Sequence, residues 1–147
     1  MTTSAFVLDA SVTAAWLLPD EHTEAARRVY AKLRRHAVDA HAPDLWLWEC
    51  GNIIANSVKR RRMTASDALL TWSVLDAVRS RVELAVLDPA QVRACLVLAV
   101  DYGLSIYDGA YLWLALALKQ PLLTHDDRLA RVARRQALTV LRVEDLS

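Results

Sequence analysis

The sequence predicts an α/β domain built on a mainly parallel five-stranded sheet with helices on both faces and right-handed crossovers. Three observations carry this. Short apolar, β-rich runs alternate with stretches of helical period along the chain. Helix start and stop signals fall between them. With three Gly and four Pro among 147 residues, 54% of them hydrophobic, no stretch reads as linker, repeat or low-complexity segment, so one domain over residues 1–147 is expected.

Residues 5–8 form a strand ending at Asp9, and the apolar helical stretch beginning at Ser11 stops near Pro19. Over residues 23–35, Ala26, Val29, Tyr30 and Leu33 recur at helical spacing among Arg and Lys, which makes an amphipathic helix with a basic outer face. A weak strand at 38–41 follows. Pro43 and Asp44 open a longer helix to about Arg62, and Thr64 with Asp67 three residues on is a capping-box signature for a helix through Arg79. A strand at 84–87 leads into Asp88-Pro89, an N-cap followed by a first-turn proline, and this helix runs to Tyr102, where Gly103 stops it. Ser105 caps a helix over 106–118. Residues 122–124 read as a buried strand, 127–135 as a helix and 139–143 as the last strand.

Composition narrows the chemistry. Cys50 and Cys95 are far apart and lack partners at metal-ligand spacing, which argues against a disulfide framework or a structural zinc. The N-terminal residues show no basic segment followed by a long apolar one, and the longest apolar run, 110–118, is too short to cross a bilayer, so a cytoplasmic protein without membrane association is expected. A formal net charge of +1 gives no bulk attraction for nucleic acid, so such a partner would need a local basic patch.

Ligands of open parallel sheets bind beyond the carboxyl ends of the strands. Asp9 ends the first strand and Asp126 lies just past the strand at 122–124, so both reach that edge. Asp108 returns to it by path length: a helix of about eleven residues runs away by roughly 16 Å, and the segment 120–126 runs back by roughly 20 Å. How closely these acids approach depends on strand order, which periodicity does not supply. Each also has a local explanation, since Asp9, Ser11, Asp108 and Asp126 all stand at helix starts where caps are favoured. Clustered carboxylates repel one another unless a cation neutralises them, and hard oxygen ligands select Mg²⁺ or Mn²⁺.

Glu49 is a fourth candidate. At ~100° per residue, Glu49, Asn52, Asn56 and Arg60 share a helical stripe of about 80°, and it runs into Lys59, Arg60, Arg61 and Arg62. This is either a solvated face or an acid for metal followed by a basic tail for phosphates.

The chain resembles the PIN-domain ribonucleases, and among them the VapC-type toxins of toxin-antitoxin pairs, in four stretches taken in order: FVLDASV at 6–12, APDLWLWE at 42–49 with Asn52 after it, LSIYDGAYL at 104–112 and LTHDDRL at 123–129. The resemblance implies a three-layer α/β/α sandwich. It also implies that Asp9, Glu49, Asp108 and Asp126 are catalytic metal ligands, with Ser11, Asn52 and Thr124 in support, and that Mg²⁺ or Mn²⁺ serves cleavage of an RNA substrate. A homodimer and a cognate antitoxin protein are implied with it. Gly109 stands where alanine is common, a departure expected to matter little.

The residues agree with metal-assisted hydrolysis. His22, His36, His41 and His125 form no evident acid–base pair for attack by the 2′-hydroxyl, and His125 beside Asp126 reads as a variable loop position. An aspartate-phosphate phosphatase would need an acid at position 11, and a phosphoacceptor receiver domain would need paired acids and a late Lys after a different strand from the one Lys119 precedes. A catalytically silent PIN-like module binding RNA or protein, and a housekeeping nuclease without antitoxin, stand as alternatives. The five tryptophans, Trp16, Trp46, Trp48, Trp72 and Trp113, lie in apolar helical runs and are expected in the core, with one or two available for an antitoxin groove.

Overall fold

Strand β1 (Ala5–Leu8) is the axis of the molecule: Phe6, Val7 and Leu8 are fully buried, as a strand covered on both faces must be. The computed structural model describes residues 4–146, so residues 1–3 and 147, the outer ends of the expected domain, lie outside the described residues. The further elements are α1 (Ala10–Leu17), α2 (Glu24–Arg34), β2 (Asp39–Pro43), α3 (Leu45–Lys59), α4 (Ala65–Arg79), β3 (Val82–Ala85) and α5 (Pro89–Tyr102). They are followed by α6 (Ile106–Leu118), β4 (Leu122–Leu123), α7 (Asp127–Arg135), β5 (Val140–Leu141) and α8 (Val143–Leu146), and a 3₁₀ turn (Pro19–Glu21) follows α1. All strand pairs are parallel, in the order β3-β2-β1-β4-β5. The sheet is flanked by helices in an α/β/α arrangement.

That order supplies what periodicity left open. The chain moves outward from β1 through β2 to β3, then crosses back to place β4 on the other side of β1. The switch point therefore falls between β1 and β4, where doubly wound sheets open a crevice at the carboxyl edge. Val7 pairs with Leu122 and Leu8 with Leu123, and the Asp9 N–H donates to the Leu123 carbonyl at 3.0 Å. The ends that carry Asp9 and Thr124 are direct neighbours.

Four strands differ from expectation, β4 only by ending one residue early at Leu123. β2 begins one residue later and runs through Pro43, which is tolerated because β1 pairs only as far as Val7 with His41 and a missing N–H beyond that point costs no ladder bond on that side. β3 is Val82–Ala85 and not 84–87: it is an edge strand with Val82 buried and Glu83 exposed, while Val86 is 80% exposed, so alternation outweighs the continuous apolar run. At the C-terminus only Val140–Leu141 is strand. Val143 instead opens α8, where the Asp145 carboxylate accepts the Arg142 N–H at 2.7 Å. Among the described residues no single helix is long and apolar enough to cross a membrane.

Two buried indoles set the helices around the site. The Trp16 Nε1 donates to the Ala26 carbonyl at 2.9 Å, and the Trp46 Nε1 donates to Thr13 Oγ1 at 3.0 Å, tying α3 to α1. Trp46, Cys50, Ile54 and Ser57 form the buried stripe of α3. Trp48 lies about 200° around the helix from Trp46 and is 82% exposed, so it is the one tryptophan that stands clearly outside the core, within the one or two that the expectation left free. Trp72 and Trp113 are half-buried against the core.

Candidate active site

Each acid is delivered by a different element. Asp9 follows β1 and stands at the N-cap position of α1, yet its side chain does not cap. Its Oδ2 instead accepts from Ser11 Oγ at 2.6 Å and from Thr124 Oγ1 at 2.7 Å. The same hydroxyls accept backbone N–H groups from the loop beyond β4: His125 N–H donates to Ser11 Oγ and Asp126 N–H to Thr124 Oγ1, each at 2.9 Å. Two small side chains thus lash the β4–α7 loop to the end of β1. Asp126 caps α7, its Oδ1 accepting the Leu129 N–H at 2.9 Å, so the local and the functional explanations hold together there.

Asp108 rises from the first turn of α6, which Ser105 caps by accepting the Asp108 N–H at 3.1 Å. The helix dipole favours a carboxylate at this end. Gly109, beside it, is not the neutral departure expected: a Cβ there would lie 2.6 Å from the Cys95 carbonyl of α5, so glycine is what allows α5 and α6 to pack so closely. Glu49 sits one turn after Trp46 on α3, and the bond from Trp46 to Thr13 fixes the rotation that turns it toward Asp9.

Asp9, Ser11, Glu49, Asn52, Asp108 and Asp126 line one cleft of about 260 Å³. Four carboxylates in so small a volume disturb one another. Burial, above all, raises the Asp9 carboxyl above its ordinary range, with Asp126 adding to it against the two hydroxyl bonds. Burial pushes Glu49 up to about 7, helped by the charges of Asp9 and Asp108, and pushes Asp108 up to about 6, helped by Asp9 and Asp126. Glu49 Oε1 is withdrawn from solvent without a hydrogen-bond partner. An all-oxygen, electron-rich donor set with an orphaned carboxylate atom fits a hard divalent cation. Among the described residues no three or more His, Cys, Asp or Glu side chains are already drawn into a ligand cage. A closed cage is not required, since Mg²⁺ keeps several waters through which some of the carboxylates can hold it.

Two hollows adjoin the cleft. A larger one of about 890 Å³ shares Glu49 and Asn52 with it and is lined by Trp48, Trp72 and Tyr107. Sequence reasoning did not single out Tyr107. The other, about 180 Å³, meets the cleft at Ile53 and is lined by Asn56, Arg60 and Arg62. The basic run is therefore divided: Arg60 and Arg62 face this hollow, with Arg62 also paired to Asp20, whereas Lys59 and Arg61 are exposed and line neither hollow. His125 is exposed beside the site and contributes its backbone. Sequence reasoning also passed over Tyr111, whose hydroxyl is buried and unpartnered next to Glu49.

The PIN domain family matches residues 6–135. Ribonuclease VapC3 of Pyrobaculum aerophilum is 33% identical over 128 residues, which span 84% of this chain and 91% of that protein. A crystal structure from the same organism superposes with a TM-score of 0.67 at 23% identity, covering 99% of this chain and 95% of its own. VapBC2 from Rickettsia felis, solved with a DNA fragment from its promoter, gives 0.65 at 15% identity over 94% of this chain and 98% of its own. FitAcB from Neisseria gonorrhoeae gives 0.62 at 17%, over 94% and 97%. The chain belongs to the PIN-domain family.

Proposed function

We propose that this protein is a Mg²⁺- or Mn²⁺-dependent endoribonuclease that hydrolyses RNA phosphodiester bonds, and that it is the toxin of a toxin-antitoxin pair, acting in the cytoplasm as a homodimer. The observation that carries the nuclease reading is the meeting of Asp9, Glu49, Asp108 and Asp126 in one cleft at the switch point, with three of them raised above their ordinary range. The likeness to Ribonuclease VapC3 supports the RNA substrate.

These four acids would hold the ion. When bound, a divalent cation neutralises the cluster, makes water a stronger nucleophile at neutral pH and stabilises the charge that gathers on a phosphate under in-line attack. Ser11 and Thr124 keep Asp9 in place while the β4–α7 loop stays pinned. Asn52, exposed at the lip, offers a donor and an acceptor to a nucleotide. Arg60 and Arg62 extend the cleft into a cationic hollow suited to backbone phosphates.

Incubation with a structured RNA in Mg²⁺, in Mn²⁺ and in EDTA tests this. Cleavage is expected only with metal, leaving 5′-phosphate and 3′-hydroxyl ends. Ends carrying 2′,3′-cyclic phosphate would overturn the hydrolytic mechanism, and intact RNA under all conditions would favour a silent binding module.

An antitoxin is supported by the aromatic hollow beside Glu49. A protein inhibitor could seat apolar anchors between Trp48 and Trp72 and send an Arg toward the carboxylates, which would compete with metal. Expression alone is expected to arrest growth, and the neighbouring small gene is expected to relieve it. Harmless expression of a folded, metal-binding monomer would leave a housekeeping nuclease.

A further inference from the structure

Tyr111 lies on α6 one turn beyond Asp108 and is fully buried, yet its hydroxyl has no hydrogen-bond partner. Glu49 Oε1 is equally withdrawn from water and equally unpartnered. Buried polar atoms are seldom left unpaired, and two such orphans side by side ask for a common reason. Packing does not supply one, because phenylalanine would fill the same volume without a polar atom to satisfy. The two groups face each other at the edge of hydrogen-bonding range, and a carboxylate oxygen can only accept, so the phenol is the donor of the pair. Glu49 itself lines the cleft, so its Oε1 points inward while the residue borders the space where the acids converge.

We propose that Tyr111 is a positioning residue for Glu49: its hydroxyl donates to Oε1 and holds the carboxylate with the other oxygen, Oε2, turned to the cleft for a divalent cation. With a divalent cation bound, this donor would keep the Glu49 carboxylate aimed at the cleft. Carboxylates that ligate metals are commonly held in this way by a neighbouring donor, and loss of the donor weakens the metal about 10–100-fold. The inference rests on the metal reading above.

The test is Tyr111→Phe, with Mn²⁺ affinity read by calorimetric titration and thermal stability read separately in EDTA. Mn²⁺ affinity is expected to fall by about 10-fold or more, while the metal-free melting temperature holds or rises because a buried unsatisfied hydroxyl has gone. In a Glu49→Gln background the same change is expected to cost nothing further. A lower melting temperature with unchanged Mn²⁺ affinity would assign Tyr111 to packing and overturn the proposal. An equal further loss in the Glu49→Gln background would place its action on another ligand, with the same consequence. Wild-type protein that binds no Mn²⁺ would overturn the metal reading and this proposal together, whereas wild-type binding that Tyr111→Phe leaves intact would overturn the proposal alone.

Discussion

Asp9 and Glu49 are both acids beside the same cleft, and their surroundings are opposite. Asp9 is held by two hydroxyls that also bind the next loop, so its position is set before any ligand arrives. Glu49 is held only through its helix, and its buried oxygen is left without a partner. The strand side of the site is a finished scaffold, whereas the α3–α6 side is completed by what binds. Preorganisation is concentrated where two strand ends meet because parallel pairing there fixes backbone position closely. The longer Glu49 side chain, with more rotamer freedom, is not fixed in this way.

Breaking the scaffold side should give the largest effect. Asp9→Asn keeps an acceptor for Ser11 and Thr124 but removes the charge, and cleavage is expected to fall by about 10³-fold with the fold intact, a loss of several kcal/mol of transition-state stabilisation. Rates under saturating substrate, with melting curves as the control, check it. Thr124→Ala should come next, because it strands the Asp126 N–H and takes one bond from Asp9. A stability loss of about 1–3 kcal/mol by denaturant titration is expected, larger than for the half-buried Ser11→Ala.

The unfinished side should reveal itself through pH. Glu49 has an ordinary value of 4.5 and lies near 7 in the folded protein, so between those values the folded state binds the extra proton. Its contribution to stability is full below about 4.5 and lost as pH rises through about 7, and Asp108 adds the same trend between 3.8 and about 6. Metal-free protein is expected to lose stability across this window. Glu49→Gln is expected to flatten the profile, and unfolding curves at half-unit pH steps would show whether it does. The smallest effect is expected at the periphery. Neutralising Arg60 should lower the salt dependence of RNA binding by about one unit of slope, and the Lys59, Arg60, Arg61 and Arg62 quadruple alanine variant by more, without touching metal affinity.

Much of this was legible in the sequence because the strongest signals are local. Ser105, the Asp88-Pro89 pair and Gly103 bounded α5 and α6 to the residue, since caps and left-handed stops are written in one or two side chains. Asp9 and Asp126 were placed on that edge by their positions at strand ends and Asp108 by path length, whereas Glu49 rested on a helical stripe and the family resemblance. Strand order was not legible, because the side of β1 that β4 joins is decided by how whole helices pack. The edges of β3 and β5 were misjudged for a related reason: at a sheet margin, exposure of residues such as Val86 depends on what covers them. Gly109 was read as neutral and Tyr111 was passed over, since their significance lies in contacts with Cys95 and Glu49, from other helices.

If these carboxylates exist to hold a divalent cation, its binding must be coupled to proton release from them. Titration of Mg²⁺ or Mn²⁺ into the protein at pH 6, repeated in two buffers of different ionisation enthalpy, would measure both at once. Saturable binding that releases protons from Glu49 and Asp108 is expected, and it should vanish in the Asp9→Asn, Asp108→Asn double variant. Absence of binding, or binding that the double variant leaves unaltered and that displaces no protons, would contradict the account.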